Sequence, residues 1–87
     1  MEEFLIISFR SRTQVMHFAR ILRGAGIFSD IISTPRQVAV GCGLSVKVKE
    51  TDRLQALTLM KQANLEGYAY TARQEYGTIR LFDQNPR

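Results

Sequence analysis

Cys42 is the only cysteine in the chain. It stands between Gly41 and Gly43 in the stretch STPRQVAVGCGLSV, soon after the pair Pro35-Arg36. A thiol in such a setting can do sulfur chemistry. Its thiolate attacks electrophilic sulfur, and a nearby positive charge favours that form over a thiol with a reference pKa of about 8.5. Arg36 is the natural source of that charge. Gly41 and Gly43 allow sharp bends on both sides and leave the sulfur open to a partner. The competing reading is a small core residue, because free cysteines are often buried and Gly-Cys-Gly can mark a bulge at a strand entrance. The residues by themselves leave both readings open, since no general base stands nearby to complete a nucleophilic pair.

Other chemistry finds little footing. His17 falls on a helix opposite its apolar face and reads as exposed, not as an acid–base group. One Cys with one His has no zinc spacing, so no metal and no cofactor is expected. Gly24 and Gly26 follow a helix, which suits a helix stop better than a dinucleotide turn. Tyr68 and Tyr70 alternate on a strand and could stack bases, but core or interface roles suit them better. With no acid–base pair to name, an enzyme is the third choice, behind a carrier and a binding module.

The elements that must position the cysteine are legible from periodicity. EFLIISF (3–9) is a compact apolar run suited to a buried strand. A helix follows, with Ser11 and Gln14 as a capping box and Val15, Phe18, Ala19 and Leu22 on one face. IFSDIIST (27–34) is a second strand ending at Pro35. LSVKVK (44–49) alternates, placing Leu44, Val46 and Val48 inward and Ser45, Lys47 and Lys49 outward. A second helix runs from about Asp52, its expected cap with Gln55, to Ala63, turning Ala56, Leu57 and Met60 inward. GYAYTAR (67–73) closes the series.

The order β-α-β-β-α-β predicts an α+β, ferredoxin-like split sandwich: an antiparallel sheet with two helices on one face. Residues 1–74 form this domain. Residues 75–87 form a C-terminal extension whose GTIRLFD segment is apolar enough for an added edge strand, with a frayed end. The connection from Pro35 to Gly43 is longer than a reversal between two strands requires. If Leu5, Ile7 and Phe9 face the helices, Phe4 and Ile6 face away. That side then needs cover from the extension or from a second copy in a homodimer.

Composition sets the outer bounds. The 87 residues suffice for one domain, with 45% apolar and 23% charged side chains, as in ordinary water-exposed proteins. A lone thiol suits a reducing cytoplasm. Two acids near the start read against a signal peptide, and no apolar run is long enough to span a membrane. The formal net charge of +4 permits an anionic partner, but the basic residues are spread along the chain. The expectation is a mixed surface, with nucleic acid disfavoured.

The pieces FLIISFRS, LRGAGI, TPR and GCGLSV occur in the order and spacing of a known pattern. The chain from residue 4 to about 67 resembles a family of short bacterial proteins catalogued as selenium/sulfur carrier-like. The resemblance implies that Cys42 carries sulfur or selenium as a persulfide or selenopersulfide, with Arg36 as the arginine of the same loop. Unidentified donor and acceptor proteins would be the partners. EYGTIRLFDQNPR departs from the pattern. The alternative is a non-catalytic ferredoxin-like binding module for protein, RNA or a small anion, with a structural cysteine. An Arg10, Arg12, Arg73 and Arg80 cluster would favour it.

Overall fold

A computed structural model of the chain describes residues 2–36, 38 and 43–83. The elements in order are β1 (Glu2–Ser8), α1 (Arg12–Gly24), β2 (Ser29–Ser33), β3 (Leu44–Lys49), a 3-10 turn (Glu50–Asp52), α2 (Arg53–Gln62), β4 (Tyr68–Glu75) and β5 (Thr78–Asp83). The strands form one five-stranded sheet in the order β2-β3-β1-β4-β5, antiparallel at every pairing. This α+β arrangement is compatible with a ferredoxin-like fold. It differs from the expected six-element order by the fifth strand, the edge strand anticipated from GTIRLFD. No described helix is long and apolar enough to cross a membrane.

Local signals account for most boundaries. The Ser11 side chain accepts a hydrogen bond from the Gln14 amide at 3.2 Å, satisfying a donor that the first helical turn leaves free. α1 stops at Gly26, whose φ of +78° is one that glycine adopts without the strain a side chain would bring. There the Ile27 amide returns to the Leu22 carbonyl at 2.9 Å and the Gly26 amide to that of Arg23 at 3.0 Å, a paired C-terminal closure. Because Ile27 is used in this stop, β2 begins two residues later than its apolar run suggests. The Asp52 cap needs correction, because its side chain makes no capping bond. The 3-10 turn occupies the approach to α2, and Glu50 receives Arg53 Nη1 at 2.7 Å.

The sheet buries both faces. On one, Leu5, Ile7, Phe9, Val46, Val48 and Ala69 pack with Val15, Phe18 and Leu22 of α1 and Ala56 and Met60 of α2. On the other, Phe4, Ile6 and Ala72 form a second cluster, against which Ile32, Ile79 and Leu81 pack. Ile79 and Leu81 come from β5, so the C-terminal extension supplies part of this cover. Lys47 adds to it, its ammonium 4.4 Å from the Phe4 ring centroid, a cation over a π face. Phe4 is 3% exposed and Ile6 fully buried within the single chain, so their cover takes no second copy.

Among the described glycines, Gly67 is the one packed tightly against the core. A Cβ there would lie 2.7 Å from Phe9, 2.9 Å from the Met60 sulfur and 3.0 Å from Ile7. Gly67→Ala is therefore expected to destabilise the fold by about 1–3 kcal/mol, the usual cost of overpacking. Urea denaturation at constant m-value measures it. A variant as stable as the parent would mean that the core yields easily at this point.

Candidate functional site

Antiparallel pairing brings several chain segments to one end of the sheet. Ser8 ends β1 opposite Ser45 on β3 and Tyr68 on β4. β2 ends beside them, where Ser33 pairs with Leu44, and α1 starts at the same end. The connection carrying the sequence-predicted site leaves and re-enters the sheet here. Its base is closed by the Thr34 amide, which donates to the Gly43 carbonyl at 2.9 Å.

Beneath that base runs a chain of hydroxyls. Ser45 Oγ lies 2.7 Å from Ser8 Oγ and 2.7 Å from Thr34 Oγ1. Ser8 and Ser45 are fully buried, so each needs a hydrogen-bond partner that water cannot supply. Ser45 was expected to face solvent, and its burial corrects that reading. Strand alternation does place Ser45 opposite Val46 and Val48, but that side of the sheet is also covered. A buried position there accepts a polar residue only because two hydroxyls converge on it.

The structure places part of the predicted constellation. Pro35 is half-buried, and its carbonyl accepts the Val38 amide at 3.0 Å. Arg36 is exposed in this turn. Gly43 has φ +92° and open space where a side chain would begin, so the left-handed backbone itself calls for glycine. Gly41 and Cys42 lie outside the described residues. Among the described residues no group of three or more His, Cys, Asp and Glu is gathered to hold a metal ion.

A second polar contact at this end was not legible beforehand. Arg10 Nη2 donates to the Tyr68 hydroxyl at 3.0 Å. That hydrogen bond, with the attraction of the same phenol, raises the Arg10 pKa further above its ordinary range. Tyr68 is thus tied to a guanidinium and not presented as a bare stacking platform. Arg73 lies at the opposite end of β4, paired with Glu3 through Nε at 3.0 Å, and Arg80 contacts Glu75 at 3.3 Å. The five residue steps from Tyr68 to Arg73 separate the two ends by roughly 17 Å at strand rise. Arg10, Arg12, Arg73 and Arg80 do not form one cluster.

Residues 4–70 match the model of the family described as "Putative Se/S carrier protein-like". The matched span takes in the whole connection between β2 and β3. No curated protein and no solved structure matches the chain.

Proposed function

Because this chain belongs to the Se/S carrier protein-like family, we propose that it carries sulfur or selenium on Cys42 and passes it between protein partners. One observation carries the reading: the family match contains the only cysteine of the chain, the single side chain able to hold a sulfane atom as a persulfide. The closed base of the connection supports it, since Thr34 and Gly43 fix where the chain leaves and rejoins the sheet. The exposed guanidinium of Arg36, on the same connection, is the cation that would favour a thiolate.

The transfer needs no external oxidant. The Cys42 thiolate attacks the outer sulfur of a donor persulfide, R–S–SH, forming Cys42–S–SH and releasing the donor thiolate, R–S⁻. A nucleophile on the acceptor then takes the outer sulfur and returns Cys42 as the thiolate. With a donor R–S–SeH the same exchange moves selenium. The protein supplies a sulfur and docking surfaces, and the donor supplies the activated atom. Arg36 favours the thiolate at each return, and a reducing cytoplasm keeps the carrier free between turns.

Incubation with glutathione persulfide, followed by intact-mass spectrometry, tests this. The expected product is heavier by one sulfur atom, reverts with dithiothreitol and is absent from Cys42→Ser. If Cys42 of the native protein neither gains sulfur nor reacts with iodoacetamide until the chain is unfolded, the thiol is structural and the carrier reading fails.

A further inference from the structure

Four arginines, Arg10, Arg12, Arg20 and Arg23, fall in a stretch free of acidic residues from Ser8 to Ser29. They equal the whole formal net charge of +4; the remaining eight of the 12 Lys and Arg are matched by the eight Asp and Glu. Their spacing along the chain looks dispersed, but α1 gathers three of them, Arg12, Arg20 and Arg23, while Arg10 precedes the helix. With Val15, Phe18 and Leu22 buried, the 100° step per residue puts Arg12, Met16, Arg20 and Arg23 together on one flank of α1.

No ion pair joins Arg12, Arg20 or Arg23 to a carboxylate among the described residues. Asp30 is the acid nearest along the chain to Arg20 and Arg23, but it projects from the other sheet face, where its register partner is Lys47. The basic flank borders exposed apolar side chains. Met16 is 43% exposed, Phe28 65% and Ile31 41%. α1 packs on β2, and Ile31 lies on the helix side of that edge strand, opposite the core residue Val46. Two shallow concavities open on this surface, one of about 400 Å³ between Arg23 and Phe28 and one of about 380 Å³ along Arg12, Met16 and Arg20.

We propose that the flank of α1 bearing Arg12, Met16, Arg20 and Arg23, with Phe28 and Ile31 beside it, docks a partner protein whose surface sets acidic side chains around an apolar centre. Arginine, methionine and aromatic residues are the types enriched at protein interfaces, and unpaired charge of one sign steers an oppositely charged partner. A phosphate backbone would satisfy the arginines but offer nothing to Met16 and Ile31. The face begins at the end of the sheet where Thr34 and Gly43 close the base of the connection, so a partner seated on it stands beside that base. The proposal rests on charge and exposure, independently of chemistry at Cys42.

The probe is a synthetic peptide of repeated Glu-Asp-Leu units, with a single-stranded oligonucleotide of equal charge as its rival. Binding of the peptide should perturb backbone amide resonances of residues 12–23 and 28–31, and should weaken with added salt. Reversal in R12E/R20E/R23E should weaken it by about tenfold or more, while R73E/R80E and Cys42→Ser leave it unchanged. If the triple variant does not fold, R12Q/R20Q should show a smaller loss in the same direction. Tighter binding of the oligonucleotide, perturbations centred elsewhere, or a folded triple variant with the parent's affinity would overturn the proposal. Because Cys42→Ser keeps the docking face, a failure of sulfur loading and a failure of docking are read separately.

Discussion

Phe18→Ala is expected to remove about 3–5 kcal/mol of folding stability. Phe18 is fully buried, and its ring meets Phe9 at a centroid distance of 5.4 Å and an interplanar angle of 59°. The truncation therefore leaves a ring-sized cavity and deletes a tilted aromatic pair. At roughly 0.05–0.15 kcal/mol per residue, a chain of this length has a total of only about 4–13 kcal/mol. A parent near the lower end of that range would leave the variant partly unfolded at room temperature. Phe18→Leu refills much of the volume and should cost less than half as much. Urea titrations followed by circular dichroism give both values. A loss under about 1 kcal/mol for Phe18→Ala would mean that α1 is held to the sheet by something other than this pair. The position matters for function as well, since α1 starts beside the candidate site and carries the basic flank.

The apolar periodicities that place Phe18 inward made most of the architecture legible. Val15, Phe18 and Leu22 recur at helical spacing, and Val46 and Val48 alternate with Ser45 and Lys47, so element type and order follow from the core residues alone. Boundaries were less legible where a residue serves two elements. Ile27 has strand character but closes α1 through its amide, and Asp52 has cap character but stands inside a 3-10 turn. The second apolar cluster was half legible. Phe4 and Ile6 demanded cover on the far face, but only the pairing of β4 with β5 shows Ile79 and Leu81 supplying it.

Around the candidate site, what sequence could show was the residue type. Cys42, Gly43 and Arg36 were conspicuous because they are chemically unusual. Ser8, Thr34 and Ser45 were not, since hydroxyl residues on strands usually mean solvent exposure. Their meeting depends on three segments far apart in sequence coming into register, which no local pattern encodes. The basic flank of α1 was hidden differently: intervals of eight and three residues between Arg12, Arg20 and Arg23 look dispersed until wound at 3.6 residues per turn.

The hydroxyl chain leads to the second large effect, expected at Ser45. Each hydroxyl has one proton to donate, so a row of three can satisfy itself only if the middle member is present. Ser45→Ala takes the middle member away. Ser8, fully buried, loses its partner, and Thr34 loses the bond that tethers its side chain to β3. Each buried hydroxyl left unpaired costs about 1–3 kcal/mol. Ser8→Ala leaves Ser45 its bond to Thr34 and should cost less. The double variant should cost less than the two singles added together, because the Ser8–Ser45 bond can be lost only once. Thermal unfolding of the three variants measures the coupling, and strict additivity would show that the serines are satisfied separately. Amide exchange supplies the link to the site. With its side chain released, the Thr34 amide should exchange faster in Ser45→Ala, because its bond to the Gly43 carbonyl closes the connection that holds Cys42. Unchanged exchange at Thr34 would mean that the backbone bond alone holds the base shut and that the hydroxyls serve only the interior of the sheet.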